Sequence, residues 1–170
     1  MKRVTIIVAS IVIILLLSAF TLEETFPRSF HFLISSNTDL GKENVDGLTL
    51  QNEVHSENIF KKYGKITEQS RDVEGYDYFK LTDGIEIAVN KNGNITRFIV
   101  TDRNLETARG IRIGDSKKDI IKTYGENYYT RTEQGTNIIG YVDKKRNITL
   151  EFWLSDNKVN FYRLDYKSME

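Results

Sequence analysis

The stretch GIRIGDSKKDIIKTYGENYY, residues 110–129, contains Gly114-Asp115-Ser116, a setting in which a serine could act as a nucleophile. Such a serine needs a base that reaches it in the fold, usually a histidine. The chain has two histidines, His31 and His55, and both lie upstream of Ser116. Ser116-Lys117-Lys118-Asp119 has instead the spacing of a capping box, in which the serine oxygen accepts the amide three residues on and the acid reaches back. Ser116 and Asp119 are therefore predicted to start a helix. Counted back from Tyr63 as Ser116 is from Tyr124, His55 takes the equivalent scaffold position, so an envelope serine hydrolase using Ser116 is the least favoured reading.

Other chemistry is poorly supplied. With no cysteine there is no disulfide, no thiolate zinc site, no catalytic thiol and no lipidated cysteine at the N-terminus. Glu23, Glu24, Glu68, Glu86 and Glu151 are scattered carboxylates that spacing does not pair, and they read as solvated surface. The glycines at 110 and 114 lack the later glycine of a dinucleotide loop. Asn94-Ile95-Thr96 and Asn147-Ile148-Thr149 match a glycosylation pattern, but each asparagine opens a strand and reads as a turn residue in a chain of bacterial composition. No catalytic residue, metal or cofactor is predicted. The formal net charge is zero, which offers no field to gather nucleic acid.

Residues 4–22, VTIIVASIVIILLLSAFTL, carry no charge. About 19 residues at about 1.5 Å each nearly match a bilayer core of about 30 Å. Lys2 and Arg3 precede the stretch and Glu23 and Glu24 follow it, which leaves the N-terminus cytoplasmic and the rest outside. A retained transmembrane anchor and a cleaved signal peptide are both open, with Leu17-Ser18-Ala19 a poor cleavage site. Beyond it, residues 26–34 alternate aromatic and polar side chains and read as lying at the membrane surface. The polar run at 35–47 reads as a linker.

From there the chain nearly repeats itself. Residues 47–64, GLTLQNEVHSENIFKKYG, echo 110–125, GIRIGDSKKDIIKTYG, and Tyr63 and Tyr124 are 124 − 63 = 61 residues apart. In each copy apolar residues at i, i+1 and i+4 (Ile59, Phe60, Tyr63; Ile120, Ile121, Tyr124) mark a short helix, closed by Gly64 or Gly125 in the left-handed conformation. Alternating runs at 76–81, 84–89 and 94–100, then at 138–142, 147–154 and 158–166, predict strands joined by tight turns. The predicted fold is α+β: two tandem helix-plus-antiparallel-meander repeats, preceded by one N-terminal transmembrane helix. The boundaries are 1–22 for stub and anchor, 23–44 for juxtamembrane segment and linker, 45–100 for the first repeat, 101–109 for a connector and 110–170 for the second.

Period-two alternation also predicts a binding surface. In NITLEFWL the residues Ile148, Leu150, Phe152 and Leu154 make the core phase, which sends Thr149, Glu151 and Trp153 to the opposite face. Phe161 and Arg163 of the next strand fall beside them. Trp153, Phe161, Arg163, Glu151 and Thr149 are thus predicted to form an open, partner-binding face, because tryptophan and arginine dominate interface hot spots; the alternative is that the linker or the other repeat covers Trp153.

The short strands expected at 48–50 and 111–113, the Gly-Asp-Ser triplet and the Tyr-Gly-terminated helix resemble the tandem-repeat superfamily of β-lactamase inhibitor proteins and the small lipoprotein of the outer-membrane barrel-assembly machine. The resemblance spans about 120 residues and rests on Gly110, Ile111, Ile113, Gly114, Asp115, Ser116, Ile120, Tyr124 and Gly125. It implies a secreted or membrane-tethered module that binds a protein through a sheet face and does no catalysis. The chain is accordingly read as a membrane-tethered extracytoplasmic protein-binding module, inhibitor- or immunity-like. Its partner would be an envelope or extracellular protein. The alternative is a small-ligand or cell-wall sensor domain.

Overall fold

The computed structural model describes residues 26–66, 68–72 and 75–166. The predicted anchor at 4–22 lies outside them, and among the described residues no helix is long and apolar enough to cross a membrane. Three short helices lie among the described residues: α1 (Arg28–Ile34), α2 (Glu57–Tyr63) and α3 (Lys117–Tyr124). The strands are β1 (Glu68–Arg71), β2 (Asp77–Thr82), β3 (Ile85–Val89), β4 (Ile95–Val100), β5 (Tyr129–Glu133), β6 (Thr136–Asp143), β7 (Ile148–Ser155) and β8 (Lys158–Tyr166).

These strands correct the expectation of two helix-plus-meander repeats. They form one eight-stranded antiparallel sheet in the order β1-β2-β3-β4-β8-β7-β6-β5. The seam is the pairing of β4 with β8, from Arg97 opposite Asp165 to Val100 opposite Tyr162. Joining there removes two exposed strand edges and lets one apolar face run unbroken across the sheet. Two strands, β1 (EQSR) and β5 (YTRTE), were not predicted, because their polar composition hides the alternation. Both are edge strands, where polar side chains are tolerated and useful.

One face of the sheet carries Ile87, Phe98, Ile139, Tyr141, Leu150, Phe152, Tyr162 and Leu164. They pack with Ile59 of α2, Ile120 and Tyr124 of α3, and with Leu40, Val45 and Val54. The helical stripe is narrower than predicted. Ile59 and Ile120 are fully buried, whereas Phe60 is 61% exposed and Ile121 half-buried. Gly64 (φ 73°, ψ −155°) and Gly125 (φ 89°, ψ −174°) do end the helices at positive φ. Their ψ values lie outside the left-handed helical well, in a region open essentially to glycine alone.

The predicted linker is part of the fold. Leu40 and Val45 are buried, Thr38 N–H donates to the Val142 carbonyl, and Leu40 N–H donates to the Asp143 carboxylate at 3.0 Å. Glu43 is buried and accepts from the Tyr124 hydroxyl at 2.9 Å and the Ala108 amide at 3.1 Å. Burial raises the Glu43 pKa despite those donors and Arg109 nearby. A low density of apolar residues hid this segment: it is held by backbone amides, the Glu43 carboxylate and two isolated apolar side chains rather than by a stripe.

Candidate functional site

Ser116 is the N-cap of α3. Its Oγ accepts from the Asp119 amide at 3.2 Å, and Asp119 Oδ2 accepts from the Ser116 amide at 3.0 Å and hydroxyl at 2.6 Å. Neither histidine stands near by role. His31 stacks on Tyr129 with ring centroids 4.9 Å apart, and His55 meets the edge of Phe79 at 6.2 Å. The cap position of α2 is Ser56, one residue later than the predicted His55, and its side chain makes no capping bond.

The five residues expected on an open face share a face, but that face is closed. Thr149 and Glu151 are fully buried, Trp153 is 7% exposed and Phe161 is half-buried. Strand alternation placed them correctly opposite Leu150, Phe152 and Leu154. What it could not show is that α1 lies across this side of the sheet. Arg28 on α1 reaches Asp165 at 2.7 Å and also donates to Thr149, while Phe32 packs with Tyr129 and Val142. The surface so predicted is therefore interior, and it is corrected here to a polar core under α1.

That polar core is built from strand register. Thr149 stands opposite Asp165, Glu151 opposite Arg163 and Trp153 opposite Phe161. Glu151 accepts from Arg131 at two oxygens, each at 2.8 Å, from Arg163 at 2.9 Å and from the Tyr129 hydroxyl at 2.5 Å. Asp165 is held by Arg97 at 2.6 Å, Arg163 at 2.8 Å and Arg28 at 2.7 Å. Burial alone would push the Glu151 carboxyl up, but Arg131, Arg28 and Arg163 together outweigh it and hold its pKa at about 2. Tyr129 spans the strand to reach Glu151 only because residue 140 is glycine: a β-carbon there would collide with the tyrosine ring. Trp153 stacks on Phe161 at 4.9 Å, with the Arg163 and Arg131 guanidinium groups 5.3 and 5.6 Å from its ring centre. These charges pair with one another within the fold, although Arg28 Nε, Arg163 Nε and Asp165 Oδ2 lack hydrogen-bond geometry among the described residues, and the pairs fasten α1 to the sheet.

Sequence reading missed Arg28, Arg97, Arg131, Asp165 and Tyr129 as members of this cluster. A signal existed in β7 and β8, where Glu151, Arg163 and Asp165 interrupt otherwise apolar strands in one phase. Buried charges are kept only when paired, so three of them facing one way point to a covered ionic cluster.

The open concavity nearest to a binding site lies elsewhere, along α3. It is a shallow cleft of about 580 Å³ lined by Ser116, Lys117, Lys118, Ile121, Lys122, Glu126 and Asn157. Ile121 supplies an apolar floor, and none of the three lysines is in an ion pair among the described residues. Among the described residues no group of histidines and acids could hold a metal ion.

No family model matches the chain, and none of the curated proteins matches it. Among solved structures, an extracellular protein containing an SCP domain from Bacillus anthracis is similar at 13% identity and a TM-score of 0.49, over 79% of this chain and 47% of that one. The chain thus spans about half the length of that structure.

Proposed function

We propose that the chain is an extracytoplasmic, non-catalytic protein-binding module held at the membrane by its N-terminal segment, and that it takes an acidic envelope or extracellular protein along α3. The α3 cleft carries this reading: Ile121 among three lysines, none in a close salt bridge among the described residues and two of them near Asp119, matches a partner segment that is acidic with an apolar anchor. The engagement of Ser116 in its capping box supports a structural use of the Gly-Asp-Ser triplet. Extracytoplasmic placement rests on the charge asymmetry about residues 4–22. Resemblance to the β-lactamase inhibitor superfamily, whose members act by binding, supports a binding module but not the use of α3, since it implies a sheet face and the face so predicted is buried.

A photoreactive residue at Lys118 in the full chain, activated in intact envelopes, tests it. The proposal expects one defined adduct that is absent when the label sits at Glu57 on α2, that weakens with salt, and that is lost when Lys117 and Lys122 are changed to Glu. An adduct indifferent to both salt and charge reversal, or none above the Glu57 control, would overturn it.

A further inference from the structure

α1 has an outer edge that the polar core does not use. Arg28, His31 and Phe32 turn inward, whereas Leu33 and Ile34 are 65% and 62% exposed and Phe26, stacked on Phe30 at 4.1 Å, is 36% exposed. Phe60 is the other large apolar side chain so exposed among the described residues, so three of four such side chains gather on one seven-residue helix and its entry. Next to them lies a basic turn. Lys144 Nζ donates to the Leu33 carbonyl at 2.7 Å, and Lys144 N–H donates to Asn37, which brings Lys144 and its exposed neighbour Lys145 to the end of α1. Asp39, an exposed acid two residues beyond Asn37, is already paired with Arg146 at 2.8 Å.

We propose that this edge is a lipid-docking surface: Phe26, Leu33 and Ile34 enter the interfacial layer of the membrane, and Lys144 and Lys145 meet anionic headgroups. An apolar strip bordered by cations is the pattern of a helix lying in an anionic membrane interface. Chain length favours that occupant over a protein partner. The uncharged stretch ends at Leu22, four residues before Phe26, and four extended residues reach at most about 14 Å. The edge therefore stays within reach of whatever surface that stretch enters. Because Arg28 bonds α1 to Asp165 and Thr149 on the sheet, docking would orient the whole domain. The inference rests on the membrane-held reading above and adds that the domain itself, and not only its tether, touches lipid.

The absence of cysteine allows clean labelling of the full chain. Leu33→Cys and, as control, Phe60→Cys are each coupled to an environment-sensitive fluorophore and reconstituted into phosphatidylcholine vesicles with or without phosphatidylglycerol. The expected result is blue-shifted emission at position 33, quenched by headgroup-nitroxide lipid and protected from iodide, with position 60 solvent-like. Replacing Lys144 and Lys145 by Ala should lower the docked-to-free ratio roughly thirtyfold on phosphatidylglycerol vesicles, the effect of removing two cations from an anionic surface. Carbonate extraction of the same vesicles separates the two readings. Carbonate-resistant protein whose position-33 label is open to iodide overturns lipid docking and leaves the tether standing. Extractable protein with a lipid-quenched label overturns the tether and supports docking. Protein that does not associate with vesicles overturns both. A label protected from lipid nitroxide and iodide alike, with disulfide cross-links between two chains when the Leu33→Cys protein is left unlabelled, overturns docking in favour of a second copy.

Discussion

Single side chains in this domain are used to hold structure, and two of them give direct tests. Ser116→Ala removes the oxygen that accepts the Asp119 amide, and it should lower unfolding free energy by about 1 kcal/mol, whereas Ser116→Asp should keep most of it. Denaturant melts measure both, and labelling of folded protein by a fluorophosphonate would contradict the structural role. Glu151→Gln should cost more, about 3 kcal/mol, because the buried Arg131 and Arg163 lose their shared anion. The sign with pH follows from the depressed pKa. Glu151 binds its proton less readily in the fold than in the unfolded chain, so its contribution is complete above the ordinary 4.5 and is lost as pH falls toward about 2. Wild type and Glu151→Gln should therefore converge across that window, and a stability gap that stays constant below pH 4 would show that the charge is not what matters. Ser116 was legible because a capping box is local, its partners only three residues apart. Glu151 was legible in its facing but not in its burial, since its cover comes from Arg28, more than a hundred residues away.

At the scale of elements, α1 decides how the second face of the sheet behaves. Six of the eight strands were readable from alternating side chains, and the helices from Ile59 and Ile120 with their glycine ends. The edge strands were not readable, because β1 and β5 carry charges and threonines that mark solvent as readily as pairing. Nor was the docking of α1 or the pairing of β4 with β8, since both depend on contacts between distant segments that no local period encodes. α1 also carries a titratable group. The His31 ring is buried and its Nε2 has no hydrogen-bond partner among the described residues. Burial, aided by Arg131 and opposed by Glu151, lowers its pKa below 6.5. The unfolded chain then takes up the proton more readily than the fold, so stability is whole above about 6.5 and falls as the pH drops below that value. Acidification toward pH 5 should loosen α1, and iodide quenching of Trp153, which the fold shields, should rise. His31→Phe should flatten that rise; an equal rise in both proteins would remove His31 as its cause.

On the scale of the whole molecule, α1 closes the second face of the sheet over β7 and β8, and the two surfaces proposed for binding, the α3 cleft and the outer edge of α1, lie outside that core. These lie on elements fixed to the same sheet, so a domain oriented by one presents the other in a set direction. That picture depends on the N-terminal stretch being retained in a membrane with the domain outside the cytoplasm. The direct measurement is mass spectrometry of the chain from the membrane fraction of cells expressing it, before and after protease is added to the intact cells. The account predicts an N-terminal peptide that still contains residues 4–22, together with domain peptides lost to external protease. A mature N-terminus near Phe20, or a domain that external protease cannot reach, would contradict it.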